Sequence, residues 1–394
     1  MSGASASRAS PDCCGPPEAA RSRSWLRLPL LAAAGAALVV GTATGLHRVG
    51  LGGSEALAGL AELHGPLMVS GFFGAVIGLE RAVATGRLWA YLGPFAAGTG
   101  TVLVLVGAPL SAVHAAWIVA GLVLAAASTG IALRLPALFT GTLACGAFAW
   151  PVGMLAWASG APMAGVVLWW TVFLVLTIAA ERLELSRLLR LGMHSKVAFG
   201  ACVALLAMAG GLGTVGAAST WPVAGVALLA LTVWLLDHDV ARRTVRIAGL
   251  PRYAALCLFG GYAWLGMGGV LMLALPVDTD RFAYDAVLHA VFLGFTFAMV
   301  FGHAPIILPA VARLPVAFDS GFYGPLVLLH VSVALRVGAD LAGAFEMRAH
   351  AGLLTAVAFV LFVAVVARGA RRGHKARRGT RPPHRPASHG QCIA

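Results

Sequence analysis

Two histidines, His64 in LAELHGPLMVSGFFGAVIG and His289 in FAYDAVLHAVFLGFTFAMVFG, stand inside runs apolar enough to lie in hydrocarbon. An ionisable ring there is costly and marks a functional-site hypothesis by default. A neutral imidazole is also the commonest protein ligand for metals and for haem iron. His303 follows His289 by fourteen residues. Fourteen helical steps of about 100° return to within roughly 40° of the same face, about 21 Å further along. His330 stands in a later apolar run. All four imidazoles are therefore candidate metal ligands, with His64 and His289 at one level and His303 and His330 at another. Such a pattern suits one haem, or two stacked haems or a haem and a metal ion. The plainer alternatives are a ring hydrogen-bonded to a carbonyl or hydroxyl and, for His303, a ring satisfying backbone groups freed by Pro305. Arg336 and Asp340, spaced i to i+4, can neutralise each other in the membrane, or Arg336 can hold the propionates of an upper haem.

Those residues need elements to carry them. Hydrophobic residues make up 59% of the 394 residues and charged ones only 11%, far from the soluble range. An apolar run of about 20 residues crosses a bilayer core. On that rule there are about twelve spans, centred near Val39, Val69, Thr99, Ala120, Cys145, Val172, Leu205, Leu228, Tyr262, Leu293, Val333 and Phe359. The expected fold is an all-α, polytopic bundle over 25–369, between a disordered N-terminal tail, 1–24, and a basic disordered C-terminal tail, 370–394. No length remains for a separate soluble domain.

Lys and Arg mark the cytoplasmic side of short loops. One side would hold Arg81, Arg87, Arg134, Arg182, Arg242 to Arg252, Arg313 and the cluster from Arg368 to Arg385, and the other only Arg48, Arg281 and Arg348. Both termini are thus expected in the cytoplasm of a multi-pass cell-membrane protein. The first segment has the basic start and apolar middle of a signal peptide, but its long apolar stretch and poor cut site favour a retained span. The net charge of +13 reflects the loops and the C-terminal tail, whose natural partner is anionic lipid rather than nucleic acid.

The six cysteines form no CxxC, CxxCH or zinc-finger spacing, which speaks against disulfides, iron-sulfur clusters and covalently attached haem. No Walker loop, dinucleotide fingerprint or GxSxG elbow occurs. The Glu80-Arg81 and Glu181-Arg182 steps close their spans as interfacial anchors, with proton entry as the alternative.

The run His64-Gly65-Pro66-Leu67-Met68 resembles the HGxxM segment of the second helix in haem-copper oxidase subunit I. The wider pattern of His64, Met68, Gly71, Phe72 and Ile77 is similar to the NnrS-type membrane proteins. The resemblance implies a twelve-helix bundle like that subunit, with b-type haem between the second and tenth helices. It gives His64 and His289 as ligands, adds Met68 to the cofactor-binding set, and links the chain to electron transfer or to handling and sensing nitric oxide, with a redox partner protein. The chain departs from the oxidases in lacking a His-Pro-Glu-x-Tyr segment, a His-His pair and any histidine in its sixth span, so a copper centre is not expected. Pro66 stands where a second histidine occurs in the NnrS pattern. The rival expectation is a haem-free transporter or channel for protons, metal ions or a small solute, with Pro66, Pro151 and Pro305 breaking its spans.

Overall fold

The computed structural model describes residues 24–186 and 191–379. Among them no strand forms, and twelve helices are long and apolar enough to cross a membrane. These are α1 (Arg27–Arg48), α2 (Glu55–Thr85), α3 (Leu88–Leu105), α4 (Leu110–Arg134), α5 (Leu138–Ala158), α6 (Met163–Leu185), α7 (Met193–Thr214), α8 (Thr220–His238), α9 (Leu250–Ala274), α10 (Arg281–Val311), α11 (Ser320–Leu341) and α12 (Phe345–Ala376). In hydrocarbon the backbone must bond to itself, so apolar runs of this length become helices. They stop where that pattern is broken: α2, for instance, ends at Gly86, which takes φ 65°, a conformation that favours glycine.

Neighbours in sequence pack side by side, and α12 returns to α1, where Gly352 lies close to Leu46 and Val49. Every fourth helix turns inward. The α2 helix touches α1, α3, α4 and α10; α6 touches α5, α7, α8 and α10; and α10 touches α2, α6, α9 and α11. These three are also the most buried spans. Aromatic side chains fill the space between them. Phe72 stacks on Phe297 with centroids 5.7 Å apart, Phe73 meets Phe297 edge-on at 5.0 Å, and Trp150 of α5 stacks on Phe173 of α6 at 5.2 Å. Trp150 also donates to Ser70 Oγ at 3.0 Å, which satisfies its buried indole N–H and ties α5 to α2. Val39, Val106, Val233 and Val360 face outward, as expected beside lipid.

Two ends can be told apart by what bridges them. At the first, Arg27 donates to Tyr91 Oη and to Val311 O, both at 3.2 Å, joining the starts of α1 and α3 to the end of α10. Asp319, at the start of α11, joins that end to α12 through Arg368 at 2.7 Å and Arg372 at 2.6 Å. We call this the tail end, because α1 begins and α12 finishes there. The other is the far end.

The expectation of disorder from 370 onward is corrected in part, since the last helix continues to Gly379. Ala, Arg and Lys propagate a helix well once a span has nucleated it. The rest of that tail, from 380, and the N-terminal tail up to 23 lie outside the described residues.

Close glycine contacts join α8 to α9. A Cβ on Gly225 would sit 2.8 Å from Gly269 O and 2.9 Å from Leu273 Cγ. Gly225→Leu should therefore force the pair apart and cost about 1–3 kcal/mol, read as a lower midpoint in thermal unfolding of the detergent-solubilised protein.

Candidate functional site

His64 and His289 sit on two of the three inner helices. The α2 helix starts at Glu55, earlier than the apolar pattern suggests, so His64 lies nine residues in; His289 lies eight residues into α10. The two counts differ by one residue, so the rings lie at one level along their helices. His64 packs over Gly45 and Gly41 of α1, where its Nδ1 donates to Gly41 O at 2.6 Å. His289 Nδ1 donates to Asp285 O at 2.9 Å and lies 3.2 Å from Asp285 Oδ2. A carbonyl only accepts, so both bonds place a proton on Nδ1, and in the neutral ring the lone pair is left on Nε2. His64 lies within electrostatic range of His289, Asp285 and Arg48.

Below each ring the helix widens. Residues Leu67–Gly74 of α2 and His289–Phe297 of α10 are π-helical, a rare geometry that gathers at functional sites. Pro66, with no N–H, opens the first. In the second, Thr296 Oγ1 donates to Val291 O, five residues back, at 3.1 Å. Phe72 follows His64 by eight residues, as Phe297 follows His289, so the stacked pair fixes corresponding faces of α2 and α10 toward each other. An apolar cavity of about 190 Å³ opens there, lined by Leu38, Phe72, Phe297, Phe301, Phe359 and Phe362 among others.

A charged network backs His289 at the far end. Arg336 Nε and Nη2 both reach Asp285 Oδ2 at 2.7 Å, and Nη1 reaches Arg348 O at 3.3 Å. Arg348 contacts Asp340 Oδ1 at 2.7 Å and Asp285 Oδ2 at 3.2 Å, and lies over the Phe282 ring at 4.8 Å. Arg336 is 3.6 Å from Asp340, as its spacing suggests. Two arginines thus neutralise two aspartates, and one of these, Asp285, also faces His289. Each nitrogen of Arg336 faces a protein oxygen, with Asp285 as its main partner. Met68 lies with its Sδ against Gly41, where it packs α2 on α1.

The second pair has partners of its own. His303 Nε2 faces Glu80 Oε1 at 3.7 Å. His330 sits against Gly260 on α9, and its Nδ1 accepts from Trp264 Nε1 at 3.0 Å. That bond takes the Nδ1 lone pair and leaves the proton on Nε2, opposite to His64 and His289. No hydrogen bond or ion pair joins His303 to His330 among the described residues, and no group of three or more His, Cys, Asp or Glu there is arranged to hold a metal ion. The two rings thus face different neighbours, Glu80 of α2 for His303 and Trp264 of α9 for His330. His330→Phe should accordingly leave the optical spectrum of the purified protein unchanged, at a cost of about 1 kcal/mol for the unpaired Trp264 N–H, read by thermal unfolding.

Asp285 and Arg348 escaped the sequence reading. The i to i+4 spacing of Asp285 and His289 in DAVLH was a usable signal, whereas Arg348 is far from its partners in sequence and counted only as a topology marker.

No curated protein matches this chain. A family model described as a domain of unknown function (DUF8744) matches residues 27–371, from the first residue of α1 to the last turns of α12. With that region covered from end to end, the chain belongs to the DUF8744 family.

Proposed function

We propose that the protein binds b-type haem between α2 and α10, with His64 and His289 as its axial ligands, and serves electron transfer or nitric-oxide handling without a copper centre. The observation that carries this reading is the matched state of the two imidazoles. They come from different inner helices at one level, each has Nδ1 tied to a backbone carbonyl, and each leaves Nε2 as the donor. Second partners of this kind fix the tautomer and orientation of ligating histidines. The π-helical segments give α2 and α10 a widened geometry just below the rings, and the apolar cavity that begins at Phe72 and Phe297, eight residues further on, is lined by neither histidine.

When bound, haem supplies a site that accepts and returns one electron. The chain's residues do the rest. Gly41 O and Asp285 orient the rings, Arg336 and Arg348 balance the Asp285 charge, and Phe72, Phe297 and Phe359 exclude water from below. Two equally well-held imidazoles favour electron transfer over gas binding, which needs a weak or absent ligand. The Lys/Arg distribution supports a cell-membrane protein with both termini cytoplasmic, so the site would lie toward the non-cytoplasmic face.

A haem-free transporter is the second reading, favoured by the ionisable groups that the inner helices bring together at the tail end. A reduced-minus-oxidised absorption spectrum separates the two. The haem reading expects Soret and alpha bands in protein purified from haem-replete cells, whereas colourless, well-folded protein would favour transport.

A further inference from the structure

Each inner helix carries an ionisable side chain near the tail end: Glu80 on α2, Glu181 on α6 and His303 on α10. They lie five, four and eight residues before their helices finish, or roughly 6–12 Å in depth. The three converge. His303 Nε2 is 3.7 Å from Glu80 Oε1, and Arg81 Nη2 is 3.7 Å from Glu181 Oε1. Glu181 is also within electrostatic range of Glu80, His303 and Arg182. On α9, Tyr262 is bonded to Asp239 and lies within range of Arg182. With His303 neutral, Glu80 and Glu181 meet Arg81 and Arg182, and Asp239 adds a third carboxylate, held by Tyr262.

The contacts between these groups are long. At 3.7 Å neither is a hydrogen bond, and the buried Arg81 Nε and His303 Nε2 have no hydrogen-bond partner. Buried polar groups are otherwise nearly always paired. Glu80, Glu181 and His303 keep about a fifth to a third of their side-chain surface exposed (22%, 23% and 31%), while His303 Nε2 itself is buried. A structural anchor would be closed by direct bonds, as Asp319 is with Arg368 and Arg372 at 2.7 and 2.6 Å. This cluster instead keeps a base, two acids and open hydrogen-bonding positions at one point on the bundle axis. Intramembrane Glu and His in that relation are the groups that carry protons.

We propose that Glu80, His303 and Glu181 form a proton-binding site at the tail end of the bundle axis. A proton from the aqueous side is held between His303 Nε2 and Glu80 Oε1. The charge it adds is shared with Glu181, and Arg81 and Arg182 keep the carboxylates from collapsing onto the imidazole. Release returns the proton to water and restores the starting charge. The inference is independent of the haem reading, because it uses neither His64 nor His289.

Infrared difference spectroscopy of the full chain in lipid, on stepping the buffer between acid and neutral pH, tests it. The expected result is an imidazolium ring band, shifted by deuteration, that His303→Gln removes and that Glu80→Gln and Glu181→Gln displace in pH, because imidazole is a stronger base than a carboxylate. Glu80→Asp should restore the wild-type pH. A wild-type protein with no such band overturns the proposal, and so does a band untouched by all three glutamine variants. The wild-type result holds even if a variant fails to fold. The visible spectrum of the same samples reports on the haem reading separately.

Discussion

Replacing His289 with alanine is expected to abolish the haem alpha band while leaving helical content and elution volume unchanged, and His64→Ala should do the same. On the proposed function each ring would be one of two supports for the haem, so losing either would let it dissociate on purification. The fold should survive. His289 hydrogen-bonds only one turn back on its own helix, and His64 makes one bond to α1 at a carbonyl that Thr44 Oγ1 also reaches, at 2.9 Å. The control is His330→Phe, which should keep the band. Retention of a wild-type spectrum in either alanine variant at 64 or 289 would remove that residue from the ligand set.

Asp285→Ala should be the most destabilising single change at the far end. It strips the shared anion from Arg336 and Arg348, both largely buried, with 9% and 14% of their side-chain surface exposed. Removing one member of a buried ion pair costs about 3–5 kcal/mol, because the remaining charge is stranded. Thermal unfolding in detergent should show the loss, and Asp285→Ala combined with Arg336→Leu should recover part of it. The same variant should lower haem affinity by about 10- to 100-fold, since His289 loses the carboxylate beside its Nδ1. A fall in stability with unchanged haem affinity would make Asp285 structural only.

Much of the fold was legible because a bilayer leaves so few options. Each centre assigned from hydropathy, from Val39 to Phe359, falls inside an observed span. The early start of α2 was harder to see, because Glu55 and Glu62 interrupt its apolar pattern; Glu55 suits a helix N-terminus, where acidic residues are favoured. The π-helical segments leave no trace in hydropathy, and only Pro66 and Thr296 hint at them afterwards.

The candidate site was legible in its levels but not in its partners. Counting along α2 and α10 gives the shared depth of His64 and His289, yet the choice of Nδ1 acceptor depends on Gly41, in a different helix. The same limit hid the neighbours of His303. Its face relative to His289 could be counted, but its neighbours Glu80 and Glu181 come from α2 and α6, which spacing along α10 does not report. Arg336 was read from its i to i+4 partner alone, and the longer-range bonds to Asp285 then decided its role.

The most direct measurement is an experimental density map of the protein purified from haem-replete cells. The result expected is a flat density of porphyrin size between α2 and α10, joined on its two faces to Nε2 of His64 and of His289. A map in which α2 and α10 close against each other, with those nitrogens bonded to protein groups or facing lipid, would contradict it.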